Sequence, residues 1–183
     1  MRRCECTGAL APYRSRPSVI RKGQLFLREV DFFFGFFITA SLACHPHRFN
    51  GDTGLALFLT GFDSWEAAAR SPLAGALWKT HVVMQVVKHF TAKGRSVPLW
   101  FWRTASGAEV DLLIERGGRF TAIEVTFTER PERSDLKGLE ALETFYGPDS
   151  LVNGIIACRA ARAYKMTAGI SAVPAKKIDQ HVE

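Results

Sequence analysis

Two acidic side chains sit inside apolar runs of one short stretch. In GAEVDLLIERGGRFTAIEVTF, residues 107–127, Asp111 interrupts one run and Glu124 the next, with an Arg-Gly-Gly turn between them. Strand side chains alternate faces, so Glu109 and Asp111 are expected on one face with Leu112 on the other, and Glu124 on the face of Ala122 and Thr126. A hairpin then brings Asp111 beside Glu124. Close carboxylates repel and raise each other's pKa unless a cation lies between them. A hard divalent ion such as Mg²⁺, or Mn²⁺ in its place, takes carboxylate oxygens and keeps waters. Held so, it can activate a water and neutralise charge on a phosphodiester oxygen. The same residues leave a second arrangement open: a solvated edge where both acids pair with Arg103, Arg116 or Arg119.

The elements that must position these acids follow from a change of period. Leu73, Ala76, Leu77, Thr80, Val83, Met84, Val87 and Phe90 recur at three and four and predict a helix over 73–90, with Pro72 in its first turn and Gly94 after its end. Residues 98–104, 107–115 and 119–127 are short, β-branched or aromatic, and bounded by turn residues, as strands are. Gly117-Gly118 supports a hairpin between the last two. Residues 135–146 predict a helix with Leu136, Leu139 and Leu142 on one face, and 151–159 an apolar central strand. Upstream, Asp52 or Thr53 can cap a short helix over the run Leu55–Leu59, and a second begins near Ser64. A tail containing Pro174 closes the chain. This order predicts an α/β fold with a mixed central sheet flanked by helices.

With 183 residues, the chain is one domain with an extra segment at most, and it can bury a core without disulfides or metal. The formal net charge of +6 permits contact with a polyanion without requiring it. Residues 1–30 hold seven Arg or Lys against Glu5 and Glu29, with Pro12 and Pro17 breaking any period, and are expected to form a poorly ordered basic arm or a nucleic-acid-binding tail. The apolar segment Phe32–Ala43 is too short to span a membrane and follows Glu29 and Asp31, so no membrane partner is expected and a buried strand or helix is. Cys4, Cys6, Cys44 and Cys158 form no framework, which places the chain in a reducing, cytoplasmic setting. Cys44, His45 and His47 make at most half a zinc site. The organisation expected is an atypical segment over 1–45 and a folded domain over 46–183.

The pieces GDTGLALFLTG, SPLAGALWKTHVVMQVVKH, FWRTASGAEVDLLIERGGRFTAIEV and DLKGLEALETFYG, across residues 48–158, resemble the domain of unknown function at the C-terminus of many prokaryotic AAA-type ATPases. Their core is similar to the PD-(D/E)xK nuclease superfamily. The resemblance implies a restriction-endonuclease-like core, with Asp111, Glu124 and Val125 at the metal-binding positions and Mg²⁺ or Mn²⁺ as the ion. It also implies a lysine two residues after the glutamate, where this chain has Thr126. Threonine cannot supply the positive charge that steadies the attacking water. On the helix from Leu73, Lys79 and Gln85 stand where relatives carry glutamates. Lys79 would either repel a metal or serve as a migrated catalytic lysine. No GxxxxGK(S/T) loop occurs, so no nucleotide cofactor is expected.

Three functions stay open on these grounds. The first is a degenerate nuclease-like module acting by binding an ATPase module or nucleic acid, with only weak metal affinity. The second is an active Mg²⁺-dependent nuclease using Asp111, Glu124 and Lys79. The third is a remnant of a longer ATPase. The position of the Lys79 ammonium separates the first two: close to both acids it strengthens the nuclease, and pointing to solvent it removes that reading.

Overall fold

The structure, a computed structural model, describes residues 28–29, 32–33, 49–50, 52–95, 99–104 and 107–183, with backbone alone for the first six. The expectations for the basic arm, for Cys4, Cys6, Cys44, His45 and His47, and for most of the Phe32–Ala43 segment lie outside the described residues. So does most of the boundary drawn at residue 45.

The chain is mixed α/β. In order it forms β1 (Arg28–Glu29), β2 (Phe32–Phe33), β3 (Phe49–Asn50), α1 (Thr53–Leu59), α2 (Trp65–Ala69), α3 (Ala74–Ala92), β4 (Leu99–Arg103), β5 (Glu109–Arg116) and β6 (Arg119–Val125). A 3-10 turn (Arg133–Leu136) then leads into α4 (Lys137–Tyr146), followed by β7 (Leu151–Cys158), β8 (Tyr164–Thr167), β9 (Ile170–Pro174) and a 3-10 helix (Ala175–Gln180). Seven strands share one sheet in the order β1-β4-β5-β6-β7-β9-β8, while β2 and β3 pair separately. β4, β5 and β6 are antiparallel; β6, β7 and β9 are parallel; β8 returns antiparallel to β9.

Local chemistry accounts for the joints. Asp52 caps α1 by accepting from the N–H groups of Gly54 and Leu55, and Ser64 caps α2 by accepting from Ala67 N–H. Gly117 and Gly118 both take positive φ, 62° and 78°, as a two-residue hairpin matched to strand twist requires. The parallel step from β6 to β7 needs a crossover, and α4 supplies it.

Helices cover both faces of the sheet. On one, Val82, Val83, Val86 and Phe90 of α3 pack with Leu112, Ile114, Ile123 and Ile155, and Ile178 and Val182 near the C-terminus join them. On the other, Leu136, Leu139 and Leu142 pack against Leu113, Phe120, Ala122 and Ile156. α1 and α2 add a small cluster of Ala56, Ala68 and Leu77.

Three expectations change. Leu73 and Ala76, placed on the buried face of α3, are exposed; Val82 and Val86 are fully buried instead, because α3 is apolar around most of its girth. Helix 135–146 begins as a 3-10 turn and becomes α-helical at Lys137. The tail is no tail: it holds the β8–β9 hairpin and a 3-10 helix, with Val173 and Ile178 in the core. Among the described residues, no helix is long and apolar enough to cross a membrane.

Candidate functional site

The sheet departs from simple alternation at Asp111. Trp102 pairs with Val110 and Trp100 with Leu113, so Phe101 alone stands opposite two residues, Asp111 and Leu112. That one-residue excess is a β-bulge, which redirects side chains. Leu112 packs on the α3 side while Val110 packs on the α4 side. Asp111 turns to α3 as well, so the expectation that Leu112 lies on the opposite face from it is corrected.

The bulged aspartate is fully buried and both of its oxygens are engaged. Oδ1 accepts from the Lys79 ammonium of α3 at 2.5 Å. Oδ2 accepts from the Val125 backbone N–H at 3.0 Å. The latter bond continues the β5–β6 pairing, whose ladder runs from Arg116–Arg119 to Leu112–Ile123, by one side-chain step. Burial on its own would lower the Lys79 pKa. The charge and hydrogen bond of Asp111, helped by Glu124 and Glu109, outweigh it and raise the pKa, so the ammonium is charged at all ordinary pH.

Glu124 keeps the face of Ala122. Its Oε2 lies beside Gly138, in the first turn of α4, where a Cβ would stand 3.4 Å away. That oxygen is buried and has no hydrogen-bond partner. Burial first, then the negative charge of Asp111, pushes the Glu124 pKa up to about 9, against the opposing pull of Lys79. At neutral pH it is therefore a protonated, uncharged acid. Thr126, at the end of the same strand, is half-buried and donates its backbone N–H to Ala157.

The arginines of the alternative arrangement are elsewhere. Arg103 pairs with Glu109 at 3.7 Å, Arg119 donates to the Asp149 carbonyl, and Arg116 lies over the Phe90 ring. Asp111 is salt-bridged, but to α3 and in the interior, not at a solvated edge.

A divalent ion fits these residues poorly. The Asp111 oxygen facing the site already holds an ammonium. Among the described residues, no three His, Cys, Asp or Glu side chains converge as a metal-binding group. The structure joins Asp111 to Lys79 and to the Val125 backbone, while Glu124 faces Gly138 of α4, so the expectation that the hairpin sets the two acids on one side is corrected. The sequence reading missed the bulge, which leaves no local signature, and Gly138. A glycine inside an amphipathic helix was the available signal for the latter, since it marks a close approach. Here α4 crosses so near the Glu109 carbonyl that a Cβ at residue 138 would overlap it.

Comparison with known proteins gives a family and little else. Residues 74–178 match a family described as a domain of unknown function, DUF4143. The uncharacterized proteins Mb2031c of Mycobacterium bovis and Rv2008c of Mycobacterium tuberculosis are each 36% identical to this chain over 89 residues. That match takes in 49% of this chain and only 19% of each relative's length. No solved structure matches.

Proposed function

This chain belongs to the DUF4143 family, and from that premise we propose that it is a degenerate nuclease-like module, of the restriction-endonuclease-like kind, that acts by binding and does not cleave. The observation that carries the reading is the Lys79 ammonium on Asp111 Oδ1. A nuclease of this kind needs a metal on that oxygen and a positive charge two residues beyond Glu124. Here the metal's place holds a lysine, and the lysine's place holds Thr126. The same contact brings Lys79 to the acids, as a migrated catalytic lysine would require, which favours the active-nuclease reading, but it also occupies the Asp111 oxygen that would have to hold the ion.

The partner we favour is a AAA-type ATPase module. The matched segment is a small part of much longer relatives, which supports a domain that works alongside others. Charge supports the same choice. Residues 49–183 hold sixteen Arg or Lys against fifteen Asp or Glu, a net of +1, so this part offers little attraction to a polyanion. The second reading, nucleic-acid binding, is favoured by residues 1–48, whose eight Arg or Lys against Glu5, Glu29 and Asp31 carry +5.

The test is a cleavage assay on single- and double-stranded DNA and RNA with Mg²⁺ or Mn²⁺. No cleavage is expected. Robust metal-dependent cleavage that Asp111→Ala abolishes would replace this reading with an active nuclease.

A further inference from the structure

We propose that the Lys79 ammonium is a built-in substitute for a divalent cation: it neutralises buried Asp111, ties α3 to the bulged end of β5, and makes the folded chain independent of metal. The inference rests on reading the site as a degenerate metal site and states what took the ion's place.

Three features of the site carry it. Asp111 is fully buried, and a buried carboxylate needs a counter-charge or a proton. The counter-charge present is the Lys79 Nζ, on the oxygen that the Val125 N–H leaves free. Its stem reaches in from the surface, with 28% of the side chain exposed, so the charge is tethered and needs no uptake from solution. An ammonium also differs from a divalent ion in one consequence seen here. One positive charge balances one carboxylate, and the second acid, Glu124, is left with a buried oxygen that no protein group partners.

The experiment measures thermal unfolding and Mn²⁺ binding by titration calorimetry on the full chain, stripped with EDTA. The panel is the wild type, Lys79→Met, Lys79→Glu, Asp111→Asn and the double variant Lys79→Met/Asp111→Asn. In the wild type, about 0.5 mM MnCl₂ should move the midpoint by about 1 °C or less. Lys79→Met strands the buried carboxylate and should lower the midpoint by on the order of 5 °C, part of which MnCl₂ restores. Lys79→Glu should bind Mn²⁺ at least roughly tenfold more tightly than the wild type. In the double-mutant cycle, losing both partners should cost clearly less than the two single losses added together.

An additive cycle, a Lys79→Met midpoint equal to the wild type's, or Lys79→Glu binding no tighter than the wild type would overturn the proposal. If Lys79→Met does not fold, Asp111→Asn and the double variant decide it. A double variant that folds supports the pairing, and one that also fails to fold refutes it. None of these outcomes depends on cleavage, so the proposed function stands or falls separately.

Discussion

Glu124 gives the site its pH dependence. Its folded pKa, about 9, lies above the ordinary 4.5 because burial and Asp111 disfavour its charge. Below the ordinary value both folded and unfolded chains hold the proton. Between the two values the unfolded chain releases it and the folded chain does not, so this residue's contribution to stability falls as pH rises through that window. Glu124→Gln keeps the shape of the neutral acid and removes the titration. Urea unfolding at about pH 6 and about pH 8.5 should therefore show a smaller loss of stability in the variant than in the wild type. Parallel losses in both would contradict the assignment. Thr126 and Lys79 form the other residue-scale pair. Thr126→Lys alone should stay inactive, since the ammonium on Asp111 remains. Combined with Lys79→Glu, it should yield detectable Mn²⁺-dependent cleavage of a plasmid or oligonucleotide. If the combined variant gains metal affinity without cleavage, the defect lies beyond these two positions.

The elements carry two glycines with opposite roles. Gly138, early in α4, lies so close to the Glu109 carbonyl that a methyl group would collide with backbone. Gly138→Ala should destabilise the chain by roughly 1–3 kcal/mol, the usual cost of overpacking. Gly75, early in α3, has nothing within 4 Å of the same methyl position. Gly75→Ala should stabilise by about 0.5–1 kcal/mol through helix propensity alone. Chemical denaturation of both variants checks the pair, and a loss of stability at Gly75 would mean α3 is not packed as described. At α1, Asp52 accepts two backbone N–H groups from a fully exposed position. Asp52→Ala should lower stability by the same measurement, since two backbone N–H groups lose their acceptor.

For the whole molecule, the question is where charge and apolar surface are left over. Residues 1–48 carry nearly all of the net charge, whereas the sheet and its helices are close to balanced. If nucleic acid is bound, that segment is expected to provide the attraction. Removing residues 1–23, which hold Arg2, Arg3, Arg14, Arg16, Arg21 and Lys22 against Glu5, should flatten the salt dependence of oligonucleotide binding measured by fluorescence anisotropy. An unchanged salt slope would move the contact onto the folded body. Among the described residues, Phe58 and Leu55 on α1 and Leu73 before α3 are exposed, at 76%, 49% and 43%, as are Phe145, Val152 and Tyr164. Scattered exposed apolar groups are ordinary.

Much of this protein was legible in order along the chain. The three-and-four recurrence from Leu77 to Phe90, the double glycine at 117–118 and the apolar run at 151–158 each reflect local chemistry, so α3, the β5–β6 hairpin and β7 stood where expected. Asp111 and Glu124 were found by a similar route, since a charged residue inside an apolar run is unusual in any context. The C-terminal hairpin was not legible, because β8 is short and mostly exposed and β9 acquires its meaning only by pairing with β7. The face of Asp111 depended on a bulge, a mismatch between two strands that neither strand contains alone. The role of Lys79 was likewise beyond local reading. Its spacing from Asp111 in the chain is 32 residues, and only the packing of α3 on the sheet puts its ammonium on that oxygen. Local pattern singled out Asp111 and Glu124; tertiary packing decided that a lysine neutralises the aspartate, because a buried charge must be balanced by whatever the fold brings within reach.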